Sequence, residues 1–228
     1  MSKLLDYANF IKFEHTLFSL PLILSGSFLA AGGLPETRVL ILILVAATGA
    51  RTAALAINRI IDRNIDRLNP RTAERELPAG KISLVNAVII TAVGLCAYFF
   101  SAYKICELVL YLSPVPLIVF IVYPLMKRFT WLCHFGVGLG LALAPLGGWI
   151  AVTCSLEGLF PAIILSAFTI CWVSGFDIIY ATLDEESYPR SVKKMRYICR
   201  AACIRPLFSP PHSFIFTCLK LLSQPYCL

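Results

Sequence analysis

The chain has 228 residues, of which 58% are hydrophobic and only 14% charged, with a mean hydropathy of +0.79. That balance excludes an ordinary soluble domain and marks an integral membrane protein. The formal net charge of +7 is no general basic surface: Met1 to Glu186 holds 13 Lys+Arg against 13 Asp+Glu, and the last 42 residues hold seven basic residues and no acid.

The first uncharged run, Thr16 to Pro35, is too long for the apolar core of a signal peptide, and charges of both signs precede it (Lys3, Asp6, Lys12, Glu14). It reads as a retained first span. Further uncharged runs are Ile82 to Tyr103, Leu108 to Met126, Phe129 to Leu156 and Gly158 to Phe176, and the run Val39 to Ile57 is interrupted only by Arg51. Each reaches the roughly 20 residues that a helix needs to cross a hydrocarbon core. No alternating barrel pattern is present, and a helix satisfies its backbone groups within its own segment, so the expected fold is an all-α polytopic bundle of six spans.

Basic residues set the expected orientation. The N-terminus carries Lys3 and Lys12, the segment after span two carries Arg59, Arg63, Arg67, Arg71, Arg75 and Lys81, and Lys127 with Arg128 follow span four. The opposite connections hold only Glu36 with Arg38, Lys104 with Glu107, and Glu157. The positive-inside rule therefore places the N-terminus and the even connections in the cytoplasm. The nine cysteines include no CxxC spacing and fall mostly in apolar runs. They read as small buried hydrophobes, not as disulfides or metal ligands.

Chemistry concentrates between Ala56 and Gly80. Asn58, Asp62 and Asp66 recur every four residues, which stacks their oxygens along one helical face at the cytoplasmic mouth of span two. Carboxylates a turn apart repel one another unless a cation sits between them, and magnesium takes oxygen ligands of this kind together with substrate phosphates. The bland reading is a solvated helix laced by Arg59, Arg63 and Arg67. Ionisable groups at a membrane helix end are costly and usually functional, which favours the site. Span six ends in a second cluster, with Asp177, Tyr180 and Asp184 at i, i+3 and i+7, and its exit is also cytoplasmic. Two acidic faces with interleaved arginines above an apolar bundle suit a polyprenyl diphosphate held through Mg2+.

These stretches carry a family resemblance. NRIIDRNIDRLNPRTAERELPAG from Asn58 and DIIYATLD from Asp177 resemble the paired aspartate-rich motifs of the UbiA superfamily of membrane aromatic prenyltransferases. IKFEHTLFSLP from Ile11 and YPLMKRFTW from Tyr123 agree with it, so the resemblance covers Ile11 to Glu186. It implies transfer of a polyprenyl group from polyprenyl diphosphate to an aromatic carboxylic acid of the 4-hydroxybenzoate type, as in quinone biosynthesis. It also implies roles. Asn58, Asp62 and Asp66 would bind one magnesium, Asp177 and Asp184 the second, Arg63 and Lys127 the diphosphate, and Arg128 the aromatic acid, where a planar guanidinium suits a carboxylate. The other reading of Arg128 is an ordinary positive-inside anchor, the weaker of the two given its fixed place beside Lys127.

Two residues stay open. Arg51, seven positions before Asn58 on the same helical face, either pairs with an acid of the cluster or reaches a phosphate. Tyr180 either stabilises a cation or acceptor or anchors the helix at the interface. The isolated His15 and His134 are assigned no chemistry.

The sequence departs from the family twice. Arg59 stands where many members carry an acid, a pattern resembling a subgroup that acts on a naphthoate-type menaquinone precursor. After Glu186 the pattern stops, and residues 187–228 contain five prolines and four cysteines. The longest uncharged run there, Pro206 to Leu219, is too short to span. The expectation is a prenyltransferase domain over 1–186, incomplete against the family's nine or so helices, with 187–228 a frame-shifted or truncated tail and the chain poorly active. The alternative is a genuine polybasic tail on anionic lipid. The expected setting is a bacterial inner membrane with the site on the cytoplasmic side, the lipid bilayer as a partner and no nucleic acid. A different class, an ion-coupled transporter, would place its acids at the bilayer midplane within repeats, and neither feature is visible here.

Overall fold

In the computed structural model the described residues are Tyr7, Phe10 and residues 13–68, 70–126 and 133–183, and every regular element among them is helical. In chain order these are α1 (Phe13–Ala31), α2 (Thr37–Asp66), α3 (Pro70–Ala73), α4 (Leu84–Ile105), α5 (Glu107–Leu112), α6 (Pro114–Met126), α7 (Cys133–Thr153) and α8 (Phe160–Leu183). The chain divides into two units, Met1–Gly175 and Phe176–Leu228, and the described part of the second is the end of α8.

Five stretches are long and apolar enough to cross a membrane: Thr37–Asp66, Leu84–Ile105, Glu107–Met126, Phe135–Thr153 and Phe160–Asp177. They correspond to the second to sixth expected spans. The expected first span is α1, whose apolar stretch Ser19–Ala31 is shorter. Large side chains point outward, as Val85, Ile89, Val93 and Phe100 do along α4. Inside stand small residues such as Ser27, Ala53, Ala56, Ala87, Ala102 and Thr169. This is the distribution a bilayer selects, because lipid is as apolar as leucine and close backbone approach is what holds helices together.

That distribution corrects the reading of the cysteines. Cys96, Cys154 and Cys171 are exposed and Cys106 is half-buried. In a membrane bundle an apolar side chain gains nothing from facing inward, so hydrophobicity did not predict burial.

Two helix pairs make the tightest contacts. α2 packs along α4 and α1 along α7. At the first crossing a Cβ on Gly49 would lie 2.6 Å from the Gly94 carbonyl oxygen, and one on Gly94 would lie 2.9 Å from that of Gly49. At the second, Gly26 abuts the Pro145 carbonyl and Gly148 the Ile23 carbonyl. α8 joins α7 through the Ser166 hydroxyl, which donates to the Ala142 carbonyl at 2.8 Å.

The expected span Leu108 to Met126 is broken into α5 and α6. Pro114 has no N–H to donate to the Leu110 carbonyl, and its ring clashes with that carbonyl in a continuous helix. Side chains donate to two carbonyls at the break. The Ser113 hydroxyl donates to Leu110 O at 2.6 Å, and the Tyr98 hydroxyl of α4 donates to Ser113 O at 3.0 Å. Such partners are what make a break tolerable at membrane depth. Tyr98→Phe is therefore expected to cost about 1 kcal/mol, read as a lower thermal midpoint in detergent.

Candidate active site

The site is built on the end of α2 and the loop that follows it. Leu77 and Ile82 of that loop are buried against Phe10, Ala56 and Ala87, with Tyr7, Ile60 and Ile90 packed around them. The loop closes on itself through Ala79 N to Arg75 O at 2.9 Å and Ile82 N to Glu76 O at 3.0 Å. Gly80 turns it at φ +75°, a region that other L residues rarely enter. Ser83 caps α4, accepting from the Asn86 N–H at 3.1 Å, and the Asn86 amide donates to the Tyr7 hydroxyl at 2.7 Å.

Held this way, the loop supplies countercharges to α2. Arg59 is buried and ion-paired with Glu76, while its guanidinium stacks 5.0 Å from the Phe10 ring centroid. Arg75 reaches the Asp66 carboxylate at 3.0 Å, and the Thr72 hydroxyl donates to the Asp66 carbonyl at 2.9 Å. Both ion pairs run from helix to loop. Arg59 thus belongs to the wall between α2 and the loop, not to a solvated stripe along the helix.

The stripe Asn58, Asp62, Asp66 divides accordingly. Each four-residue step on an α-helix rotates the side chain by about 40°, so three such residues fan over about 80°. Asp66 ends buried beneath Arg75, whereas Asn58 and Asp62 are half-buried. Arg51 lies two turns deeper on the Asn58 side, close to Tyr123 of α6. Three buried polar atoms here have no hydrogen-bond partner: Arg51 Nε, Asn58 Oδ1 and Arg63 Nε. An unsatisfied buried donor or acceptor is costly, and of these three Asn58 Oδ1 is the one on the aspartate stripe, one turn from Asp62.

Asp177 is half-buried on α8 and belongs to the second unit. Tyr180 is on the same helix. Asp184, Lys127 and Arg128 lie outside the described residues, as does the segment 187–228. Among the described residues no three His, Cys, Asp or Glu side chains are gathered to hold a metal ion. Magnesium needs only one or two carboxylates when water and phosphate complete its shell, so an amide oxygen without a partner beside an aspartate remains a suitable donor set. Arg75 and Glu76 were not singled out from the sequence, although both fall within the motif ERELPAG.

A helical membrane bundle with acids, an amide and arginines at one end of its second long helix defines a polytopic membrane protein with an anion- and cation-binding site. The chain belongs to the UbiA prenyltransferase family, whose model matches residues 19–205. It is similar to 4-hydroxybenzoate octaprenyltransferase of Aliivibrio salmonicida, 32% identical over 159 residues, covering 70% of this chain and 55% of that protein. The corresponding protein of Photobacterium profundum is 33% identical over 195 residues, covering 82% and 65%. The chain thus spans a little over half the length of the first of these relatives. Among solved structures, the apo structure of a UbiA homolog from Aeropyrum pernix K1 superposes with a TM-score of 0.72 at 30% identity, covering 92% of this chain and 85% of that one. A UbiA homolog from Archaeoglobus fulgidus bound to GPP and Mg2+ shares the fold, with a TM-score of 0.69 at 17% identity and coverage of 97% and 80%.

Proposed function

We propose that this protein transfers a polyprenyl group from polyprenyl diphosphate to an aromatic carboxylic acid of the 4-hydroxybenzoate type, at the cytoplasmic face of a bacterial inner membrane. The observation that carries the reading is the family match over residues 19–205, supported by Asn58 Oδ1, which is buried without a hydrogen-bond partner one turn from Asp62 on α2. The named relatives act on 4-hydroxybenzoate, and a structural neighbour was bound to GPP with Mg2+.

Asn58, Asp62 and Asp66 would hold one magnesium, and Asp177 with Asp184 a second. Bound there, the metal supplies positive charge to the diphosphate oxygens. Arg63 and Lys127 compensate the remaining charge, which lets the allylic carbon–oxygen bond break as electron density moves to the departing diphosphate. The apolar helices around the site hold the prenyl tail and exclude water. Arg128 holds the acceptor carboxylate, so that the ring carbon beside the phenol meets the allylic carbon and then loses its proton.

A second reading differs only in the acceptor. Arg59 at the position after Asn58 favours a naphthoate-type acid. In the structure Arg59 is committed to Glu76, so it acts on the acceptor only through the loop it holds. In membranes containing the chain and given prenyl diphosphate, magnesium and each aromatic acid in turn, the product, however low its yield, is expected to be prenylated 4-hydroxybenzoate, with the mass of substrate plus prenyl group minus one hydrogen. Chelation of the metal should abolish it. Product from the naphthoate alone would establish the second reading, and product that persists without divalent metal would remove magnesium from the mechanism.

A further inference from the structure

Asp66, proposed above as a magnesium ligand, is paired with a cation of the protein's own. Arg75 Nη1 lies 3.0 Å from Asp66 Oδ2, and the Thr72 hydroxyl holds the backbone of the same residue by donating to its carbonyl at 2.9 Å. The Asp66 side chain is 11% exposed and that of Arg75 35%, so of the pair it is Arg75 that faces water. A cation arriving from solvent meets its positive charge first.

Arg75 and Glu76 are neighbours in the loop, and each grips α2, Glu76 at Arg59 and Arg75 at Asp66. The two grips differ in strength. Arg59 and Glu76 are enclosed and Arg59 stacks on Phe10, so parting them would strand a buried charge. The Arg75–Asp66 pair keeps part of its guanidinium in water, and ion pairs of that kind contribute little. Arg59–Glu76 is therefore the fixed point of the loop, and Arg75–Asp66 is the contact that can open. The stretch it secures is a turn, closed by the Arg75 N–H donating to the Thr72 carbonyl at 3.1 Å, and Glu74 within it is exposed.

The proposed metal needs the carboxylate that Arg75 holds. Asn58 and Asp66 lie at the two edges of the fan of about 80°, and Arg75 ties Asp66 to the loop. A divalent ion on Asp66 would bring its charge beside the guanidinium, and like charges at close range oppose one another. On the reading of Asp66 as a metal ligand, we infer that Arg75 is a positioning residue that competes with the divalent metal for the Asp66 carboxylate, so that filling the stripe and unlatching the turn Thr72 to Arg75 from α2 are one event. By linkage the coupling is reciprocal: the metal loosens the latch by the same factor by which the closed latch weakens the metal.

The test titrates the whole chain in detergent micelles with Mn2+, the free ion being read by its electron paramagnetic resonance signal, and Asp66→Asn identifies the binding that belongs to Asp66. Arg75→Gln is expected to tighten that binding on the order of fivefold, the size of a partly exposed ion pair, while Arg75→Lys stays near the parent. The loop supplies a second, independent readout. Glutamyl endopeptidase cleavage after the exposed Glu74 should speed up in the parent when Mn2+ is added, and Arg75→Gln should be cleaved at the faster rate with or without the ion. Weaker or unchanged Mn2+ binding by Arg75→Gln would overturn the competition, as would cleavage of the parent that Mn2+ slows or leaves unchanged. Parental Mn2+ binding by Asp66→Asn would instead remove Asp66 from the metal site, and the competition with it.

Discussion

Asp62→Ala is expected to lower prenyl transfer by about 10³-fold or more, equivalent to ~4 kcal/mol of transition-state stabilisation. Asp62 is half-buried on α2, one turn from Asn58, whose Oδ1 is buried without a hydrogen-bond partner. Removing the carboxylate takes away the negative charge that would hold the metal and leaves the arginines of the same helix uncompensated. Retention of diphosphate should fall with turnover, so magnesium-dependent binding of prenyl diphosphate to membranes is measured beside the product. Near-parental turnover with unchanged magnesium dependence would take Asp62 out of the metal site. Asp66→Ala separates two effects, because Asp66 is engaged by Arg75 and its loss should also loosen the loop.

The second large effect concerns stability. Arg59→Leu or Glu76→Leu is expected to cost about 3–5 kcal/mol, because each leaves its partner as an uncompensated charge in a buried place. The side chains of Arg59 and Glu76 are 8% and 15% exposed, so little water is at hand to take over. The double replacement should recover much of the loss, since two apolar side chains there satisfy each other. Thermal unfolding in detergent, with protease cleavage between Glu74 and Ile82 as a local probe, distinguishes the outcomes. Single variants as stable as the parent would make the pair a surface decoration, and a double variant no better than the singles would argue that Phe10 stacking, not charge pairing, holds Arg59.

Much of this architecture is written plainly in the chain. Uncharged runs near 20 residues long place the spans, because a bilayer admits little else, and the four-residue spacing of Asn58, Asp62 and Asp66 puts them on α2. What could not be read was which way each one faces. The 40° drift per step is visible in the spacing, but its consequence depends on a loop packing over one side of the helix. Arg59 and Glu76 are 17 residues apart, and only the turn at Gly80 and the burial of Leu77 and Ile82 bring them together. The break at Pro114 was legible in principle, since proline cannot continue a hydrogen-bonded turn. Hydropathy hid it, because the residues on both sides of the break are equally apolar. The cysteines failed for a related reason: apolar character predicts burial in water, and here the outside is lipid.

The crossing of Gly26 with Pro145 and of Gly148 with Ile23 has a consequence for how the protein is made. α1 is the first described helix to leave the ribosome, yet the helix it meets backbone to backbone lies about 120 residues further along the chain. At synthesis rates of about 5–20 residues per second, α1 waits on the order of 6–25 s in the bilayer before its groove is filled. During that interval the glycine surface that later seats α7 is open to any other small-faced helix. Insertion therefore has a vulnerable window early in translation, one that closes only when the fourth of the five long apolar stretches, Phe135–Thr153, has entered the membrane.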